Sequence, residues 1–151
     1  MSKVREELLQ SLMTKIISVM RGIHAGQGFP FGDYLLGVPH VRILFSVSKK
    51  QDGTSVKELA EKLQVTSGAV TQFVDALVEK DLVRREEDAT DRRILRIKLT
   101  ELAESKFERF KKDYFISVSR VFDKLNDEEI SQLIELLEKI NVPAGIKENN
   151  R

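Results

Sequence analysis

Two groups of side chains in this chain have types and spacings that could do chemistry, and the chemistry is recognition. Ser67, Gly68, Thr71, Gln72 and Asp75 recur at steps of one, three and four, so a helix would carry them on one face. Hydroxyls and an amide at such positions reach phosphate oxygens and base edges, with Gln suited to adenine, and small residues allow close approach. The neighbouring surface of the preceding helix carries Glu58, Glu61 and Lys62 instead, as an ordinary solvated face does. The second group is Arg92 and Arg93, near the tip of a hairpin, with Arg84 on the strand leading into it. Paired guanidinium groups on a projecting loop suit the narrow minor groove of A·T tracts. Each group also has a plain reading, as a helix face of weak preference and as a solvated charged turn. Glu86, Glu87, Asp88 and Asp91 beside the arginines favour the plain reading on composition alone.

Other chemistries find no support in the residues. The absence of cysteine excludes disulfides, thiolate metal sites and thiol redox sensing. His24 and His40 are the only histidines, and neither their separation nor a local acid cluster makes a metal pair. Gly26-x-Gly28 lacks the preceding strand and the following Gly-Lys-Ser/Thr of a phosphate loop. No nucleophile stands with a base, so no enzyme, no metal and no cofactor is expected. The net charge of +1 argues neither for nor against nucleic acid, and within 66–100 seven bases meet seven acids. Apolar runs are too short to span a membrane and the N-terminus does not read as a signal peptide, so the expected location is the cytoplasm.

The elements that must position these residues follow from periodicity. With 41% hydrophobic residues, the 151-residue chain can bury one sizeable core. Residues 3–23 place Val4, Leu8, Leu12, Ile16, Val19 and Ile23 at helical steps, widened by Leu9, Met13, Ile17 and Met20. So wide a stripe is either ordinary core or a dimer seam; the seam is the sharper reading because the C-terminus shows the same excess. Five glycines and two prolines then break the pattern over 22–39. Phe29, Phe31 and Tyr34 cluster there and either cap a small-molecule pocket, with His40 beside them, or fasten the loop to the core.

Pro39 suits the first turn of the next helix, which ends near 49–53. Ser55 with Glu58 forms a capping box, and Thr66 caps a helix running to about Lys80. Leu82-Val83-Arg84-Arg85 and the alternation Leu95, Ile97, Leu99 make two strands around a polar tip. Thr100 opens a helix expected to reach about Lys124. Asn126 with Glu129 caps a last helix carrying Ile130, Leu133, Ile134, Leu137 and Ile140, with Pro143 beyond it and a frayed tail at 147–151. The predicted fold is mainly α with a small β-hairpin wing: a winged helix-turn-helix at 39–100 flanked by dimerisation helices at 3–24 and 101–141, all in one domain over 1–151.

That order of elements, with Val70-Thr71-Gln72-Phe73-Val74-Asp75-Ala76-Leu77, Leu82-Val83-Arg84-Arg85 and Asp91-Arg92-Arg93-Ile94-Leu95-Arg96-Ile97-Lys98-Leu99-Thr100, resembles the MarR family of bacterial and archaeal transcription regulators. The resemblance covers nearly the whole chain, and its specific motifs lie in 55–100. It implies a homodimer joined through the first and last helices and bound to double-stranded DNA at a palindromic operator, typically as a repressor relieved by a small phenolic or carboxylate effector. It puts Ser67, Gly68, Thr71, Gln72 and Asp75 in the major groove. It implies too that Arg93 enters the minor groove, with Arg92 beside it and Asp91 bracing the turn. The chain departs from the pattern at Gln72, where many members have Arg, and at Asp81, where many have Gly. The alternative from another class is a winged-helix protein-interaction module without specific DNA binding.

Overall fold

The structure, a computed structural model, describes residues 1–24, 26 and 28–140. Pro143, the tail at 147–151 and the side chain of His24 lie outside the described residues. Helix α1 spans Lys3–His24, followed by strands β1 (Phe29–Phe31) and β2 (Tyr34–Leu36). Helices α2 (Val38–Ser48), α3 (Val56–Leu63) and α4 (Ser67–Glu79) come next. Strands β3 (Val83–Glu87) and β4 (Leu95–Leu99) precede α5 (Glu101–Ser119) and α6 (Asp127–Glu138).

The capping chemistry sets the helix starts. Ser55 Oγ accepts from the Glu58 N–H at 3.1 Å while Glu58 Oε2 accepts from the Ser55 N–H at 2.9 Å. Thr66 Oγ1 accepts from the Ala69 N–H at 3.1 Å, and Asn126 with Glu129 closes a second reciprocal box. Between α3 and α4 the chain turns through Gln64, whose φ of 55° ends α3 in the left-handed region.

Two expectations need correction. The stretch from 26 to 39 is not irregular throughout: β1 and β2 pair antiparallel, Phe29 opposite Leu36 and Phe31 opposite Tyr34. Gly32 begins the two-residue turn with φ +58°, which glycine adopts freely. Three-residue strands are too short to show a period of two, so punctuation dominated the pattern. The helix from Thr100 does not reach Lys124 as one piece but gives way to a 3₁₀ turn, Arg120–Phe122.

The core lies between α2, α3, α4, the two strands of the second hairpin and the first half of α5. Ile43, Leu44, Leu59, Val70, Val74, Leu77 and Ile97 are fully buried there. Strand β4 pairs with β3 on one side and meets Thr54 on the other, with Thr54 and Ile97 exchanging both backbone bonds at 3.1 and 2.8 Å. Gly53, at φ +77°, makes that approach possible, because a Cβ there would sit 2.8 Å from the Ile97 carbonyl oxygen. By contrast, α6 buries none of its residues, and none is buried among the residues of α1 whose burial is described.

Glu58 stands where cap and sheet meet. Its carboxylate accepts from the Ser55 N–H and the Thr54 hydroxyl, with Lys50 and Arg96 nearby, and these hold its pKa down to about 2. A depressed carboxylate contributes stability above its ordinary value near 4.5 and loses it as pH falls toward about 2. Thermal melts taken from pH 6 to pH 2 are expected to show a shallower acid limb in Glu58→Gln than in the unaltered chain. Parallel limbs would refute the assignment.

Candidate nucleic-acid interface

On α4, Val70, Val74 and Leu77 face the core, while Ser67, Gly68, Thr71, Gln72 and Asp75 are exposed, as the helical spacing requires. The first turn of this face carries no acidic or basic side chain. The Thr71 hydroxyl donates to its own helix at the Ser67 carbonyl, 3.0 Å away, leaving its oxygen lone pairs and methyl outward. The Gln72 amide is exposed. A helix N-terminus free of acid favours a phosphate.

Strands β3 and β4 form a hairpin in the register Val83 to Leu99, Arg85 to Ile97 and Glu87 to Leu95. Its tip is shaped by Asp88, whose Oδ1 accepts from the Thr90 N–H at 2.9 Å, the Thr90 hydroxyl at 2.8 Å and the Asp91 N–H at 3.0 Å. Asp91 then holds Arg93 three times over. Oδ1 accepts from the Arg93 N–H and Nε, and Oδ2 from Nη2, each at 3.0 Å. The pair lowers the carboxyl pKa and raises that of the guanidinium, so each keeps the other charged. The side chains of Arg92 and Arg93 are each 90% exposed. Of the acids that favoured a solvated turn, Asp88 and Asp91 are thus occupied in building the loop, while Glu86 and Glu87 pair with basic side chains of the hairpin.

A family model described as the MarR family matches residues 36–95, from the end of β2 to the start of β4. Over 101 residues the chain is 36% identical to YpoP of Bacillus subtilis, an uncharacterised helix-turn-helix transcriptional regulator, covering 65% of this chain and 70% of that one. The chain belongs to the MarR family. It is therefore a DNA-binding transcription regulator, and neither an enzyme nor a protein-interaction module. It is also 30% identical over 113 residues to the transcriptional repressor MdtR of the same organism, covering 74% of this chain and 73% of that one. The crystal structure of CouR from Rhodococcus jostii RHA1, bound to p-coumaroyl-CoA, shares the fold with a TM-score of 0.64 at 22% identity, over 93% of each chain.

Of the expected residues, Arg84 sits apart from the α4 face, and Asp75 on that face is engaged by the hairpin. Arg84 lies across the hairpin from α4. Its Nη1 donates to the Leu99 carbonyl at 2.9 Å and its Nε to Glu86 at 2.8 Å, beside a cleft of about 280 Å³ shared with α2 and α5. Strand alternation turns its neighbour Arg85 the other way, onto Asp75 of α4. Asp75 is thus an anchor for the hairpin on α4. Arg85 was missed because two adjacent arginines look alike in the sequence; the apolar Val83, two positions earlier on the strand and on the same face, is the signal that could have told them apart.

The expected effector residues do not enclose one site. Phe29 packs edge-on to Tyr114 at 4.6 Å between centroids and Phe31 against Phe110 at 4.8 Å, so both fasten the first hairpin to α5. Tyr34 is exposed beneath the Lys80 ammonium. His40 packs on Phe73, with its pKa lowered by burial and by the charge of Lys80. An open groove of about 760 Å³ lies instead over Phe45, Glu108, Arg109, Lys111, Lys112 and Phe115.

Gly68 gives a direct test of close approach. A Cβ there would meet nothing nearer than Thr66 Oγ1 at 4.0 Å, so the fold does not require glycine. Gly68→Ala is expected to stabilise the free protein by about 0.5 kcal/mol or more. It is expected at the same time to weaken DNA binding, read by melting and by fluorescence anisotropy. Unchanged affinity would remove Gly68 from the interface.

Proposed function

We propose that the chain is a homodimeric repressor that sets α4 in the major groove and the β3–β4 tip in the adjacent minor groove of a palindromic operator. The observation that carries this reading is the pairing of an α4 face whose first turn is small and uncharged with an exposed Arg93 held by Asp91. In this reading Ser67, Gly68, Thr71 and Gln72 contact phosphates and base edges, Asp75 holds the hairpin through Arg85, and Arg92 assists Arg93. Arg84 is not assigned a DNA contact. Repression is supported by the name of MdtR. A regulator of this kind works in the cytoplasm, and no described helix is long and apolar enough to cross a membrane.

The dimer is supported by surface. Leu8, Leu12, Ile16 and Met20 of α1, Phe115 of α5, and Ile134 and Leu137 of α6 are all exposed. Continuous apolar faces of this kind are covered by a partner in a stable protein. A second copy would bury them and space the two α4 helices roughly one DNA turn, about 34 Å, apart.

The proposed effector is a small aromatic acid or ester. The groove over Phe45 and Phe115 offers ring contacts, with Arg109, Lys111 and Lys112 to meet a carboxylate or phosphate. CouR, with its p-coumaroyl-CoA, supports that class of ligand.

Arg93→Ala is expected to lower affinity for the DNA upstream of the chain's own gene roughly tenfold, within the range for one good groove contact, while sedimentation still reads a dimer. Equal affinity would take the wing out of the mechanism. Truncation before Asn126 removes α6 and is expected to leave monomers or unfolded chain; a stable dimer would refute the seam.

A further inference from the structure

We propose that Arg96 is a positioning residue that stations the minor-groove arginine by clamping the wing tip to the N-terminus of α3, an inference that rests on the minor-groove reading of Arg93. Arg96 lies on β4, three residues beyond Arg93, and its side chain is only 25% exposed. Its guanidinium forks. Nε donates to Asp88 Oδ2 at 2.7 Å and Nη1 to Glu58 Oε2 at 3.1 Å. Both acceptors are already fixed by other bonds. Glu58 Oε2 also accepts from the Ser55 N–H and the Thr54 hydroxyl, each at 2.9 Å, so it belongs rigidly to the start of α3. Asp88, 14% exposed, spends its other oxygen on the Thr90 and Asp91 groups that close the tip.

These bonds join into one line: the α3 cap, Glu58, Arg96, Asp88, the Asp91 backbone, the Asp91 carboxylate, Arg93. Each link is a charged or backbone hydrogen bond of 2.7 to 3.1 Å. The fork is what a planar guanidinium can do and an ammonium cannot, because two carboxylates on different elements are met at once. Without Arg96 the hairpin keeps its backbone pairing and its buried Ile97, but its outer end is tied to nothing on α3. Arg93 would then search a wider range of positions and lose much of its contribution to binding.

The test is a double-mutant cycle read by fluorescence anisotropy on the DNA upstream of the chain's own gene, at fixed salt. Arg93→Ala is made in the unaltered chain, in Arg96→Met and in Asp88→Asn. Asp88→Asn retains a side-chain oxygen for the Thr90 and Asp91 N–H groups, so it releases the clamp and leaves the turn, and melting checks that each variant is folded. The expected result is a roughly tenfold loss from Arg93→Ala in the unaltered chain, shrinking to less than about twofold in both clamp variants. A purely structural Arg96 would lower the melting temperature and leave the Arg93 loss at full size, which overturns the clamp while the minor-groove reading stands. No loss from Arg93→Ala in any background overturns both.

Discussion

A two-stranded hairpin with five residues to a strand cannot hold its own angle in water. Everything the wing does depends on how it is tied to the helices below and beside it. At its base, Val83, Ile97 and Leu99 enter the common core, and the backbone exchange between Thr54 and Ile97 ties the outer edge of β4 to the residue before the α3 cap. Toward the tip there is no apolar anchor, since Ile94 and Leu95 are exposed. The remaining ties are guanidinium groups: Arg85, opposite Ile97, to Asp75 of α4, and Arg96, one step nearer the tip, to Glu58 of α3. The position of the wing relative to α3 and α4 is thus constrained by two arginines on opposite strands.

This bears on the charge balance of 66–100. Seven acids against seven bases would ordinarily count against nucleic acid, because non-specific affinity comes from net phosphate neutralisation. Five of those acids are engaged: Asp75 with Arg85, Glu86 with Arg84 and Lys98, Glu87 with Arg92, Asp88 with Arg96 and Asp91 with Arg93. Exposed pairs of this kind add little to stability, about 0–1 kcal/mol each. Their effect is on geometry, since a bidentate carboxylate fixes the direction of a long side chain before it meets a partner. The cost is a weak long-range field, so discrimination has to come from placed contacts.

The helix-turn-helix and the wing were legible because their signals are local. Capping residues at Ser55, Thr66, Thr100 and Asn126 mark helix starts within a few positions, and Leu95, Ile97 and Leu99 alternate cleanly. The first hairpin was hidden because Phe29 and Phe31 show one alternation between glycines and a proline. The roles of Arg85 and Arg96 were hidden for a different reason. Their partners lie 10 and 38 positions away, and no periodicity links residues across that separation. Asp75 illustrates the limit: its helix face was read correctly, and its partner decides what it does there.

The departure at Asp81 shows how α4 is joined to α5. Asp81 holds φ at 55°, the left-handed conformation that explains why glycine is common at this place in the family and that Asp tolerates better than most residues. Its carbonyl accepts from the Thr100 hydroxyl at 2.6 Å, and the same Thr100 oxygen accepts from the Ala103 N–H at 3.1 Å to cap α5. One side chain therefore fastens the end of α4 to the start of the helix that carries Phe107, Lys111 and Phe115. Phe107 is buried against Phe45 of α2 at 5.4 Å, so the aromatic layer under the groove and the Thr100 bond lie on one rigid helix.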